Sequence, residues 1–204
     1  MAAIIRLATP EDGGGMQAIY APLVVNTTIS FETEPPTAAE MGRRIAETLP
    51  RFPWLVLAAA EKILGYTYAC RHRDRTAYRW AVEVSVFVRE DCRRFGAGHA
   101  LYMSLFKILE LQGFLHAYAG ITVPNFASER FHWRLGFRPV GVYRKIGFKL
   151  GRWRDVRWYH RPLGRLPNSP PAPVELAALD QDALKSTALA AGLSWLEAAK
   201  FFRE

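Results

Sequence analysis

The chain has 204 residues, half of them hydrophobic and 23% charged, which fits one ordinary globular domain plus an appendage. No apolar run approaches the roughly 20 residues that span a membrane, the first residues lack a secretory leader pattern, and Cys70 and Cys92 match neither a disulfide framework nor a metal site, so a cytoplasmic protein without a metal is expected. The net charge of +8 invites a nucleic-acid reading, but the basic residues are scattered over 71–75, 93–94 and 144–165, and an anionic cofactor with an acidic substrate explains the excess more economically.

Residues 4–7 read as a first strand. Thr9, Pro10, Glu11 and Asp12 form a helix start: a capping threonine, proline at the first position and acids in the first turn. Met16, Ile19, Tyr20 and Leu23 fall on one face of that helix, although Gly13, Gly14 and Gly15 weaken it. Residues 26–36 form a loop carrying Phe31. Thr37 caps a second helix, with Glu40 completing a capping box.

Residues 54–60 and 63–70 are apolar runs around Glu61 and Lys62, the pattern of a hairpin. Residues 71–76 cross over to a strand at 78–88. Arg73 and Arg75 stand two apart in an extended stretch, so both side chains point the same way. Such a pair suits a phosphinate or carboxylate, or forms a solvated basic turn. Glu83 lies between Val82 and Val84 in the most apolar strand of the chain. A carboxylate there is costly unless partnered. It reads as a general base or as an acid on the polar side of the sheet.

Val82, Val84, Val86 and Val88 alternate with Glu83, Ser85 and Phe87 at the period of a strand. Arg93, Arg94, Phe95, Gly96, Ala97, Gly98 and His99 then lead into a helix that runs to Gln112. A strand feeding a helix through two glycines is a cradle for an anion, because the glycines admit close backbone approach and the first helical turn has unpaired N–H donors. The triphosphate-binding spacing GxxxxGK[ST] is absent, and the third small residue of a dinucleotide loop is missing. What remains is R-x-x-G-x-G.

Residues 117–123 form the next strand, stopped by Pro124 and Asn125. A helix begins at Ser128, carries His132 and ends at Gly136. Residues 137–143 and 155–161 read as closing strands, with a glycine-flanked aromatic loop at 146–154. A proline-rich linker occupies 166–173. Residues 174–191 show helical spacing that Gly192 stops, and Ser194 to Glu197 opens a further helix with a capping box. No chemistry is visible in this extension.

The R-x-x-G-x-G loop after a valine-rich strand resembles the coenzyme A pyrophosphate loop of the GCN5-related N-acetyltransferases. Ile5-Arg6-Leu7-Ala8-Thr9, Ser30-Phe31-Glu32-Thr33-Glu34-Pro35, Phe52-Pro53-Trp54-Leu55-Val56 and Gly65-Tyr66-Thr67-Tyr68-Ala69 match a narrower group. So do Ala77-Tyr78-Arg79-Trp80-Ala81-Val82-Glu83, Pro124-Asn125 and Gly151-Arg152-Trp153-Arg154-Asp155-Val156. That group is the phosphinothricin (glufosinate) N-acetyltransferase-like enzymes, which include methionine sulfoximine acetyltransferases. The likeness covers residues 4–163.

The resemblance implies an α/β (α+β) fold, with a mixed central sheet flanked by helices over residues 1–165. The linker 166–173 and a helical extension over 174–204 would follow. It implies acetyl transfer from acetyl-CoA to the amine of a small amino-acid-like acceptor, by direct attack in a ternary complex. Glu83 takes the role of general base. His132 stands where many relatives have a tyrosine that protonates the leaving thiolate, and it either does that work, assists deprotonation or is a plain core histidine. Acetyl-CoA contacts follow at Val86, Phe87 and Val88, where a bulge is expected, then at Arg93, Arg94, Phe95, Gly96, Ala97, Gly98 and His99. Asn125 meets the pantetheine arm or simply caps the turn. Phe31, Arg73, Arg75 and Tyr78 face the acceptor, and a homodimer is expected. The alternatives are a different amine acceptor (a polyamine, an aminoglycoside or a protein N-terminus) or a non-catalytic protein that binds acyl-CoA or nucleic acid.

Overall fold

The computed structural model describes residues 3–198. Seven strands form one sheet in the order β1-β2-β3-β4-β5-β7-β6. They are β1 (Ala3–Leu7), β2 (Trp54–Ala59), β3 (Lys62–Arg71), β4 (Ala81–Val88), β5 (His116–Val123), β6 (Arg138–Lys149) and β7 (Arg152–Pro162). Every neighbouring pair is antiparallel except β4 with β5, which is parallel. Four helices cover the sheet: α1 (Gly13–Asn26), α2 (Ala38–Thr48), α3 (Ala97–Gln112) and α4 (Phe126–Arg134).

The alternation in β4 decides which helices it meets. Val82 and Val84 are buried in one core with Leu101, Leu105, Ile108 and Leu109 of α3. Phe87 points to the other face, against a second core that includes Met16 and Tyr20 of α1 and Met41 and Ile45 of α2. Each fully buried leucine or isoleucine on α3 contributes about 1.5–3 kcal/mol. α3 is therefore the anchor of the larger core.

The glycine run at 13–15 has a packing reason. A Cβ on Gly13 would meet Ala38 O at 2.5 Å and Gly42 N at 2.8 Å, and one on Gly15 would meet Ile63 at 2.6 Å. The glycines bring α1 against α2 and β3. Thr37 Oγ1 caps α2 by accepting from Glu40 N at 3.1 Å. The Glu40 side chain instead bonds Arg43 and Arg44, so the expected reciprocal box is half formed.

The parallel ladder between β4 and β5 has three pairs: Ala81 with His116, Val82 with Ala117 and Glu83 with Tyr118. Beyond Glu83 the strands separate, while β4 stays paired to β3 from Arg71–Val82 to Gly65–Val88 without a register shift. The expected bulge is therefore absent from that ladder, and divergence from β5 opens the cleft instead. Arg89 N donates to Leu64 O at 2.9 Å, which sets the phase of the antiparallel ladder. Residues 83, 85 and 87 exchange bonds with β3, and the N–H groups of Val84, Val86 and Val88 point toward the space that β5 has left.

Three boundaries differ from expectation. β4 begins at Ala81, and Tyr78 sits in a 3-10 turn, Thr76–Tyr78. The aromatic stretch at 146–154 is not a loop, because β6 and β7 run through it and turn only at Leu150 and Gly151, both with positive φ. In the extension, the turn α5 (Gln181–Ala183) leads through a π-helical segment, Leu184–Leu189, into α6 (Ala190–Ala198). Gly192 lies inside α6 rather than ending a helix. Ser194 Oγ donates to Ala190 O at 3.1 Å, so it does not cap one. The Glu197 side chain and residues 199–204 lie outside the described ones.

Gly192 lets α6 lie on α3. A Cβ there would collide with the Ala100 carbonyl and meet Ile5 Cδ1 and Ser104 Oγ at 2.6 Å. Ser104 Oγ donates to Leu189 O at 3.1 Å. For Gly192→Ala, an overpacking cost of about 1–3 kcal/mol should raise the undocked fraction of the extension roughly 5- to 150-fold. Limited proteolysis should then cut the 166–173 linker faster while the body resists.

Candidate active site

Glu83 is the last β4 residue paired to β5, so its carboxylate stands at the apex of the cleft. His72 Nδ1 lies 3.0 Å from Glu83 Oε1, and Arg73 Nη1 lies 3.6 Å from the same oxygen. Glu83 is thus partnered, as a carboxylate in an apolar strand must be. Cys70 sits directly across the ladder. Burial, reinforced by the Glu83 charge, pushes its thiol up to about 12, which keeps it protonated and poorly nucleophilic.

The glycine loop stands at the open end of the same cleft. Gly96 caps α3 with φ +94, and Arg94, two residues before it, has φ +69. The left-handed turn at Gly96 aims the first-turn amides of α3 outward, the arrangement that binds anions. A Cβ on Gly98 would touch the Phe131 ring at 3.3 Å and Val88 Cγ2 at 3.6 Å, so the loop, α4 and the end of β4 converge. Arg93 Nε donates to Val88 O at 3.3 Å. The loop, the freed amides of Val86 and Val88, and the positive charges of Arg93 and Arg94 therefore suit a phosphorylated carrier whose arm runs up the cleft. Phe87 stands differently in the strand. Its amide engages β3 and its ring packs on Tyr20 and Tyr66, with centroids 5.0 and 5.2 Å away.

Arg73, Arg75 and Tyr78 line one cavity of about 210 Å³. The stretch that carries them bends rather than extends, yet it brings all three together. Sequence reasoning missed Arg51, Arg71 and Arg79, which line the same cavity, and the wall formed by Ala172 and Pro173 of the linker. Trp80 Nε1 donates to Pro171 O at 2.7 Å and holds that wall in place. With only Asp74 opposing five arginines among the lining residues, the cavity favours an anion.

Phe31 lies apart from this cavity, its ring pressed on Gly147 of β6. Its neighbour Glu32 accepts from Arg44 at 2.8 Å and from Tyr20 OH at 3.0 Å. The Glu32 carboxyl is held low, burial opposing and the Arg44 hydrogen bond leading the groups that stabilise the anion. Lys149 Nζ donates to the Ser30 and Glu32 carbonyls, each at 2.7 Å. β6 thereby pins the loop over the α1–α2 side of the sheet.

Asn125 Oδ1 accepts from Ser128 N at 3.2 Å, so it caps α4. His132 is buried, with Nδ1 2.9 Å from Ser128 O and Nε2 3.2 Å from Tyr102 OH. The carbonyl only accepts, so Nδ1 carries the proton and Nε2 accepts from the tyrosine. Burial drives the imidazole down to about 4, only partly opposed by the Ser128 carbonyl. The ring is neutral at pH 7 and its bare nitrogen is already engaged.

Two groups at the site carried no sequence signal. His72 stacks on Tyr118 with centroids 4.5 Å apart; it sits in a basic run and meets its partner eleven residues on. Trp195 of the extension stacks on His99 at 4.1 Å and packs against Gly96. The tail thus reaches the cradle, where burial, reinforced by Arg161, lowers the His99 imidazole.

Comparison with known proteins agrees with this architecture. The family profile described as an acetyltransferase (GNAT) domain matches residues 5–158. A phosphinothricin N-acetyltransferase of Streptomyces coelicolor is 39% identical over 173 residues, covering 78% of this chain and 95% of that protein. An L-methionine sulfoximine/L-methionine sulfone acetyltransferase of Pseudomonas aeruginosa is 37% identical over 161 residues, covering 76% and 92%. Among solved structures, a GNAT superfamily phosphinothricin acetyltransferase from Sinorhizobium meliloti, in complex with AcCoA, superposes with a TM-score of 0.78 at 34% identity, covering 84% of this chain and 94% of that one. The mixed seven-stranded sheet with its parted central strands, the glycine cradle and these likenesses agree: the chain belongs to the GNAT family and is an N-acetyltransferase.

Proposed function

We propose that the protein transfers acetyl from acetyl-CoA to the amine of a small anionic amino-acid-like acceptor, of the phosphinothricin or methionine sulfoximine type. The carrying observation is the parting of β4 from β5 directly after Glu83, which joins the base, the freed amides and the glycine cradle in one cleft. Acetyl-CoA, when bound, supplies the acetyl thioester. Gly96, Ala97, Gly98 and His99 present backbone donors to its diphosphate, and Arg93 and Arg94 add charge. The Val86 and Val88 amides serve the thioester carbonyl and the arm, preorganised donors where negative charge develops. Glu83 Oε2 takes the proton that an ammonium must lose before it can attack. No enzyme nucleophile is needed, and Cys70 is held as a thiol.

Arg73 joins the two halves of the acceptor site, since it touches Glu83 and lines the arginine cavity. The acceptor's acidic head enters that cavity and its amine meets Glu83. Phe31 and the loop pinned by Lys149 border the acceptor from the α1–α2 side. His132, neutral and engaged at both nitrogens, fixes α4 beside the cradle rather than donating a proton. A homodimer is part of the reading, supported by the exposed Tyr143, Ile146, Phe148, Leu150 and Trp153 of the β6–β7 hairpin and its turn, since exposed apolar surface marks interaction sites.

Thiol release from acetyl-CoA tests the reading directly. Phosphinothricin or methionine sulfoximine should drive it, and a polyamine, repelled by the arginines, should not. Absence of coenzyme A binding by calorimetry would overturn it. Arg75→Ala should raise the KM for the anionic acceptor roughly tenfold through loss of a charge-assisted contact, with the KM for acetyl-CoA unchanged; steady-state kinetics in both substrates checks this.

A further inference from the structure

We infer that His72 is a positioning residue for Glu83: its Nδ1–H holds Oε1 and so presents Oε2 to the acceptor amine. This rests on the reading of Glu83 as the base and goes beyond it. A carboxylate only accepts, so the proton of the 3.0 Å contact sits on Nδ1. Arg73 competes for the same oxygen from 3.6 Å, but its side chain is 44% exposed whereas that of His72 is 13% exposed. The shorter, drier contact sets the carboxylate rotamer. Without it, Arg73 would draw the carboxylate toward the arginine cavity.

His72 is itself clamped. Its ring lies nearly parallel to Tyr118, at 9°, and meets Trp158 edge-on at 5.9 Å and Tyr78 edge-on at 6.3 Å. Tyr118 is the β5 partner of Glu83 in the last rung of the ladder. The imidazole is thus fixed at the point where the strands part, with Glu83 from β4, Tyr118 from β5, Trp158 from β7, and Arg73 and Tyr78 from its own segment around it. Trp158 Nε1 is buried without a hydrogen-bond partner among the described residues, so the clamp is built of ring faces and edges.

Two substitutions separate the hydrogen bond from the ring. His72→Phe keeps a ring against Tyr118 and removes the donor. His72→Asn keeps an N–H near the Nδ1 position and loses the stack. With phosphinothricin or methionine sulfoximine as acceptor, His72→Phe should lower kcat about 10- to 100-fold, the range a misplaced catalytic group produces, with the KM for acetyl-CoA unchanged. His72→Asn should recover most of that loss. A phenylalanine variant within twofold of wild type, or an asparagine variant no better than it, would overturn the inference. Glu83→Gln, measured alongside, tells the two failures apart. If it is inactive while His72→Phe is not, only the role of His72 falls; if it is fully active, the base reading falls and this one with it. Independently of any acceptor, nitrogen NMR of the full chain should show His72 with its proton on Nδ1, moving to Nε2 in Glu83→Ala. The same tautomer in both proteins would refute the pairing.

Discussion

Glu83→Gln should lower turnover at neutral pH by about 10²- to 10⁴-fold, the usual share of a positioned general base. The amide is nearly isosteric and accepts a hydrogen bond through its oxygen, so His72 keeps a partner and the fold should hold. What is lost is the ability to take a proton. At neutral pH the acceptor is almost wholly an ammonium, and without a base only the small free-amine fraction can attack. As pH rises toward the amine's own titration that fraction grows, so the deficit should shrink. A pH–rate profile of wild type and variant, with acetyl-CoA saturating, checks this. An equal deficit at every pH would mean that Glu83 serves electrostatics or binding instead. The KM for acetyl-CoA should stay constant, because the cradle at 93–99 lies at the other end of the cleft.

The readable part of this molecule is the part governed by local periodicity. The alternation of Val82, Val84, Val86 and Val88 predicts β4, and the glycines of R-x-x-G-x-G predict a helix start; the strand and a left-handed Gly96 opening α3 are both present. The unreadable part depends on partners distant in sequence. Gly192 looks like a helix stop because glycine usually breaks helices, yet here the missing side chain lets α6 meet the Ala100 carbonyl on α3. The glycine-flanked aromatics at 146–154 look like a loop for a related reason. Gly147 is needed because the Phe31 ring packs on it, and only Gly151 answers to a turn, with φ +71. His72 is the same problem at the site. A histidine between arginines signals a solvated turn until β3 and β4 pair and deliver Glu83 to it. Phe87 depends on distant partners too: its ring packs on Tyr20 of α1 and Tyr66 of β3 and its amide turns to β3, neither of which shows until the neighbouring elements are known.

His132 yields the second large effect, on stability. Burial lowers its folded-state value to about 4, against an ordinary value near 6.5. Between those limits the unfolded chain binds the proton and the folded chain does not. The stability contributed is therefore fully present above about pH 6.5 and is lost as pH falls toward 4, in all about 3 kcal/mol. His99, His116 and His160 are also lowered, chiefly by burial, and add acid sensitivity of the same sign. The diagnostic is consequently a difference between two proteins. Denaturant unfolding at pH 7 and at pH 4.5 should show a smaller pH-dependent loss for His132→Phe than for wild type, although the variant starts lower because Tyr102 OH and Ser128 O lose their partner. Equal losses would mean that the imidazole keeps its ordinary value in the folded chain and gains a proton on acidification as readily as in the unfolded one. That result would also restore His132 as a proton donor to the departing thiolate, since an imidazolium has a proton on Nε2 to give and the neutral ring described here does not.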